Sequence, residues 1–339
     1  MTSEDPGRPV PVTTPGESLH AAAAPTNGTV DPAPERAPAP GGPPATGPTP
    51  GSDALTCHAL RYAFGETRAV DGVDLAVRPG EVFGLLGPNG AGKTTAIRCI
   101  TTLLPVPTGM VRVFGHDAAR EQMAVRRLLG YVPQQLSADA GLTGRENVVL
   151  FARVFDVPRR ERAARVTQAL EAVDLTDAAN RLANTYSGGM IRRLELAQAL
   201  VSAPRLLMLD EPTIGLDPIA RTTVWEHINT VRAATGMAVL VTTHYMDEAE
   251  QYCDRVALMH RGRIRALGTP GELRSALRAR RAHAARTTTT ASTALTSPSP
   301  DTEPTLEDVF RDVAGTGLDE QSGGFRDVRS TRRTAARVG

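Results

Sequence analysis

The stretch Gly87-Pro-Asn-Gly-Ala-Gly-Lys-Thr constrains this chain of 339 residues more than any other. It fits the pattern G-x-x-x-x-G-K-[ST] in full. It follows the short apolar run Glu81-Val-Phe-Gly-Leu-Leu, which reads as a buried strand, and precedes a helical pattern expected from Lys93 to Leu104, where Pro105 stops it. Glycines at these spacings let successive backbone N–H groups turn toward one anion, and the helix N-terminus adds partial positive charge. Gly87, Pro88, Asn89, Gly90, Ala91, Gly92, Lys93, Thr94 and Thr95 are therefore candidate phosphate contacts. Lys93 is expected to reach the terminal phosphates, and the Thr94 hydroxyl to ligate Mg²⁺.

Composition sharpens the role of Lys93. It is the only lysine; every other member of the 38 Lys and Arg residues is arginine. A drift toward Ala, Arg, Gly and Pro has removed lysine everywhere except where a compact ammonium on a flexible stem is needed. The same drift marks the ends of the chain. Half of the 26 prolines fall in the first 50 residues, a stretch without aromatic side chains or apolar periodicity. Residues 1–52 are expected to be a disordered tail, and no basic start with an apolar run supports a signal peptide. Residues 53–280 read as one α/β domain, 281–303 as a flexible linker rich in Thr, Ser and Pro, 304–314 as a short terminal helix and 315–339 as a disordered Arg-rich tail. The isolated Cys57, Cys99 and Cys253 sit among apolar neighbours and read as buried free thiols.

Inside the domain the text alternates. Residues 55–78 carry the period-two pattern of strands joined by turns, and the helical stretches Glu121–Leu129, Thr143–Phe155 and Pro158–Val173 form a helical insertion, broken only by the strand Leu129-Gly-Tyr-Val. Arg205–Asp210 and Met237–Thr242 read as further buried strands, with a helix from Pro218 to Ala234 between them. Strands alternating with helices imply a mostly parallel sheet. The run Leu206-Leu-Met-Leu-Asp210-Glu211 leaves two acids at the carboxyl end of a strand, where ligands sit in open α/β sheets. Asp210 suits a water-mediated hold on Mg²⁺, and Glu211 suits the base that activates the attacking water.

Tyr186-Ser187-Gly188-Gly189-Met190 then opens an apolar-periodic helix expected over Ile191–Leu200. A hydroxyl, bare N–H groups and a helix dipole make Ser187, Gly188 and Gly189 a second anion site, although an ordinary helix cap uses the same residue types. Two anion sites on one chain make sense if the second completes the nucleotide site of another copy.

With that element in place, residues from about Leu55 to Leu277 resemble the ATP-binding-cassette ATPases. The resemblance implies a P-loop NTPase core with an antiparallel β subdomain and a helical insertion, and ATP with Mg²⁺ as its ligands. Tyr186 and Met190 depart from the commoner Leu and Gln of the family's signature loop. The resemblance further implies that Gln134 senses Mg²⁺ and the attacking water, that Gly215-Leu-Asp217 crosses a dimer interface, that His244 contacts the γ-phosphate, and that Phe64, or its neighbour Tyr62, stacks on adenine. Phe64-Gly-Glu-Thr, Thr185-Tyr-Ser-Gly-Gly-Met, Thr242-Thr-His-Tyr-Met-Asp-Glu-Ala and Leu306-Glu-Asp-Val-Phe are similar to the daunorubicin-resistance type of drug-export ATPase.

Such a resemblance implies an exporter's ATP-hydrolysing subunit, peripheral at the cytoplasmic face of the membrane, with a membrane-spanning permease on a separate chain and a second ATP-binding subunit, most simply another copy. No apolar run reaches the ~18 residues of a membrane span. The net charge of +1 and the absence of a heptad run set aside a ribosome- or DNA-acting cassette, and no nucleic-acid partner is expected. The terminal Leu-Glu-Asp-Val-Phe and the Gly-Gly-Met signature set aside an importer.

Overall fold

The structure is a computed structural model that describes residues 53–287 and 303–315. The expected N-terminal tail and the Arg-rich end beyond 315 lie outside these residues, as does most of the Thr/Ser/Pro-rich stretch. Strand β1 (Leu55–Phe64) turns at Gly65-Glu66 into β2 (Thr67–Val77), and β3 (Val82–Leu86) leads through the glycine loop into helix α1 (Lys93–Ile100). Two short strands, β4 (Val111–Val113) and β5 (His116–Asp117), precede α2 (Gln122–Leu128) and β6 (Leu129–Val132). The helical region holds α3 (Gly144–Val154), α4 (Arg159–Glu171) and α5 (Gly188–Leu200). The chain then runs through β7 (Leu206–Asp210), α6 (Pro218–Thr235), β8 (Ala238–Thr243), α7 (Met246–Tyr252), β9 (Arg255–His260), β10 (Arg263–Gly268), α8 (Pro270–Thr287) and α9 (Leu306–Ala314).

Ten strands form two sheets among the described residues. The first, β2-β1-β4-β5, is antiparallel throughout. The second runs β10-β9-β3-β8-β7-β6 and is parallel except for β10 at its edge. Its central strands β3, β8 and β7 are buried at every position, and apolar up to the polar residues at the carboxyl ends of β7 and β8, because helices or the first sheet cover both faces. Val82 and Leu86 of β3, Leu207 and Leu209 of β7, and Val239 and Val241 of β8 pack toward α3–α6. The alternate residues Phe83, Leu85, Leu206, Met208, Ala238 and Leu240 pack with β1, β2 and α1. The largest fully buried side chain, Trp225 on α6, belongs to the helical side.

Three boundaries differ from the sequence expectation by three residues or more. Helix α1 ends at Ile100 rather than Leu104, because the Thr101 hydroxyl turns back to the Ile97 carbonyl (2.9 Å) and Thr102 takes φ +61°. Helix α5 starts three residues early, since Ser187 caps it by accepting from the Met190 amide at 3.3 Å. Helix α8 continues to Thr287, seven residues into the stretch expected to be a linker from 281. Its Arg280 and Arg281 meet Asp312 and Asp308 of α9 at 3.0 and 3.4 Å, partners supplied by a segment remote in sequence.

Candidate active site

The site is assembled at the carboxyl ends of four adjacent parallel strands. In the sheet Leu86 of β3 pairs with Thr243 of β8, and Thr242 pairs with Asp210 of β7, while β6 lies on the far side of β7. Each strand releases one functional segment at this edge: the glycine loop after β3, Gln134 after β6, Glu211 after β7 and His244 after β8. Ala69, Asn89, Gly90, Ala91, Gly92, Lys93, Thr94, Thr95, Gln134 and Glu211 line one cleft of about 370 Å³.

Two of the glycines are dictated by close approach. A Cβ on Gly92, which sits at φ +106°, would collide with the Ala69 carbonyl. One on Gly87 would collide with the Met259 carbonyl. The loop is pressed between β2 and the end of β9, and the Gly262 amide bonds the Ala91 carbonyl (2.9 Å) to hold it there. With the loop fixed, Lys93 folds back over it. Its ammonium, on a side chain only 4% exposed, donates to the carbonyls of Gly87 (2.8 Å) and Pro88 (3.2 Å) and lies 3.2 Å from Glu211 Oε1. Such a buried charge needs these partners.

Glu211 is the focus of the cleft. Gln134 Nε2 donates to its Oε2 at 3.2 Å, and His244 Nδ1 comes within 3.3 Å of the same oxygen without hydrogen-bond alignment, leaving that nitrogen unpaired. The backbone of Glu211 takes φ +53°, rarely adopted by a side-chain-bearing residue, and its amide is secured by the Thr242 carbonyl and hydroxyl, both at 3.1 Å. Backbone held in such a sparsely populated conformation clusters at functional sites.

Asp210, directly before it, is buried. Its Oδ1 accepts from the Thr242 hydroxyl (2.6 Å) and the Thr94 hydroxyl (3.3 Å), while Oδ2 is buried with no partner. Burial raises its carboxyl above the usual carboxylate range, against the lowering effect of the two hydroxyls. A carboxylate with an unused oxygen beside a threonine hydroxyl fits a hard divalent cation, which takes oxygen ligands.

The remaining candidates lie apart from this cleft. Phe64 ends β1 with half of its surface exposed, and Tyr62 meets it edge-on at 5.0 Å between ring centres. Ser187 and Gly188 are exposed at the start of α5, where a Cβ on Gly188 would touch Leu216 and one on Gly189 would touch Ala220. The glycine signature and the Gly215-Leu-Asp217 loop therefore share one neighbourhood. Thr242 received no role from sequence reasoning, although it stands inside the Thr-Thr-His stretch. Its hydrogen bonds to both acids make it the residue that sets their relative position.

The family model described as ABC transporter matches residues 70–214, from β2 through the acid pair. Over 224 residues the chain is 47% identical to the daunorubicin/doxorubicin resistance ATP-binding protein DrrA of Streptomyces peucetius, covering 66% of this chain and 68% of that protein. It is 41% identical to the Nod factor export ATP-binding protein I of Paraburkholderia xenovorans, covering 65% of this chain and 72% of that one. Among solved structures it is similar to a dimeric ATP-binding cassette bound to ADP and Pi in a post-hydrolysis state. That match has a TM-score of 0.57 at 27% identity and covers 63% of this chain and 98% of the other.

Proposed function

This chain belongs to the ABC transporter family as an ATP-hydrolysing subunit, and from that premise we propose that it powers export of a drug-like or otherwise hydrophobic compound through a separate membrane-spanning permease. The observation that carries the catalytic part is the convergence of Lys93, Gln134 and His244 on the Glu211 carboxylate at 3.2–3.3 Å. Groups that stabilise developing charge act best when already oriented, with no reorganisation at the moment of reaction.

In this reading the glycine loop amides and Lys93 hold the terminal phosphates of ATP. Glu211 takes a proton from the attacking water, Gln134 orients that water, and His244 contacts the γ-phosphate through its unpaired Nδ1. Thr94 and Gln134, with Asp210 through water, would hold Mg²⁺, which when bound would neutralise the phosphate charge. Ser187, Gly188 and Gly189 bind the γ-phosphate on a second copy of this chain. Phe64 stacks on adenine; its half-exposed ring at a strand end, free of the core, supports this over Tyr62.

Export as the direction of transport is supported by the relatives, a daunorubicin/doxorubicin resistance ATP-binding protein and a Nod factor export ATP-binding protein. Among the described residues no helix is long and apolar enough to cross a membrane. A surface for the permease is supported by a groove at the base of the helical region, where the exposed Leu103, Met123 and Val154 gather with Phe155 and Tyr131. Exposed apolar side chains grouped this way mark interaction sites. The test is reconstitution with the permease in vesicles. ATP-driven accumulation of a fluorescent anthracycline that is lost in Glu211→Gln supports the proposal, whereas hydrolysis that is never coupled to movement of any hydrophobic compound contradicts it.

A further inference from the structure

We propose that Arg192 and Glu195 are positioning residues for hydrolysis, a pair that clamps the Gln134 loop to helix α5; this rests on the reading of Gln134 given above. Both side chains are buried, at 5% and 1% exposure, and pair at 2.8 Å. Each also hydrogen-bonds the same short loop. Arg192 donates from Nη1 to the Pro133 carbonyl (3.1 Å) and from Nη2 to the Gln134 carbonyl (2.7 Å). Glu195 Oε1 accepts from the Ser137 amide and from the Ser137 hydroxyl (3.2 Å). Residues 133–137 carry no helix or strand, so the clamp grips this irregular segment at both ends.

The Gln134 side chain is exposed, and where its amide falls is set by its backbone. The clamp therefore decides whether Nε2 stands 3.2 Å from Glu211. Stability alone gives a weak reason for such a pair, because apolar side chains of similar volume stabilise a core as well as a buried ion pair does. Fixing a loop's backbone through a planar fork is what arginine does and an apolar side chain cannot. The location adds a consequence. Arg192 lies five residues along the helix that Ser187 caps, so any displacement of that helix at its N-terminus is transmitted to Gln134 through two guanidinium hydrogen bonds.

A double-mutant cycle in the full chain tests this. Arg192→Met/Glu195→Leu replaces the pair with apolar volume. It is expected to keep a cooperative melt and bind a fluorescent ATP analogue within about 3-fold of wild type, while kcat falls about 10-fold. Placed on Gln134→Ala, the same double change is expected to lower kcat by less than about 2-fold, because the loop then has nothing left to position. Full kcat in the folded Arg192→Met/Glu195→Leu protein overturns the proposal, as does an undiminished loss in the Gln134→Ala background. If that protein fails to fold, Arg192→Lys keeps the charge but not the fork. A kcat lowered with unchanged nucleotide affinity supports the clamp, and an unchanged kcat overturns it. Wild-type kcat in Gln134→Ala alone would remove the underlying reading of Gln134, a result distinct from the pair's own.

Discussion

Lys93 is held by two carbonyls and a carboxylate in a pocket that leaves it 4% exposed. A guanidinium is larger and planar, and cannot occupy that pocket without displacing the glycine loop proposed to bind the phosphates. Lys93→Arg is therefore expected to weaken ATP binding by roughly 10–100-fold, comparable to losing a charge-assisted hydrogen bond, and Lys93→Ala at least as much. Isothermal titration with ATP reads both, and wild-type affinity in Lys93→Arg would contradict the account.

Glu248 on α7 carries a pH dependence of stability. Its carboxylate is buried against Thr213 (2.8 Å) and Trp225 (3.4 Å), and burial raises its pKa above 4.5. A group whose folded pKa is raised binds more protons when folded, so its ionisation costs stability above the folded value, and that cost disappears below the unfolded value. Glu248→Gln should accordingly raise the melting temperature at pH 8, and the gain should shrink as pH falls toward 4.5. A gain that grows on acidification would reverse the sign and exclude burial as the cause. The buried thiols follow the same physics: Cys99 and Cys253 are pushed up to about 12 by burial, so all three cysteines should resist a thiol reagent until the protein unfolds. At this scale the sequence revealed residues that carry their own motif, such as Lys93, Asp210 and Glu211. It did not reveal Thr242, Arg192 or Glu195, whose importance lies in hydrogen bonds to groups 31 to 59 residues away.

At the scale of elements, α9 shows how local and remote signals combine. Its start was legible because Thr305 and Asp308 form a capping box, and its apolar face because Leu306, Val309 and Phe310 recur at helical spacing. Its docking was not legible. Leu306, Val309 and Phe310 are buried in the helical-side core, the Leu306 amide bonds Glu250 of α7 (2.7 Å), and the Phe310 ring meets His260 edge-on at 6.1 Å. Removing the Phe310 ring should cost about 3 kcal/mol or more if the helix stays docked. Urea unfolding of Phe310→Ala checks this, and a loss under ~0.5 kcal/mol, the surface range, would show that α9 contributes no core. The same remote contacts explain why α8 outruns its expected end: Arg280, the last residue of the expected domain, and Arg281, the first of the expected linker, gain partners only when the acids of α9 are brought beside them. Strands β4 and β5 were not separately legible, since three and two residues are too few for a period-two pattern.

For the whole molecule, the parallel sheet, antiparallel sheet and helical region followed from alternation of apolar runs with helical text, because each element's period is written locally. The proposed pairing of two copies is not written that way. The phosphate loop and the Ser187 loop lie on separate elements, and Ser187 is exposed and does not line the cleft around Glu211. We propose that this exposed loop completes the nucleotide site of a second copy. Light scattering on chromatographed protein in ATP and Mg²⁺ decides this. Glu211→Gln keeps the reach of the side chain but removes the base, so hydrolysis should fall by about 10² or more and ATP should persist. The account predicts an ATP-bound dimer for Glu211→Gln, and an ATP-bound monomer when Ser187→Arg is added, since each phosphate loop still binds its own nucleotide. A double variant that dimerises as well as Glu211→Gln alone would contradict the shared site and return Ser187 to the role of a helix cap.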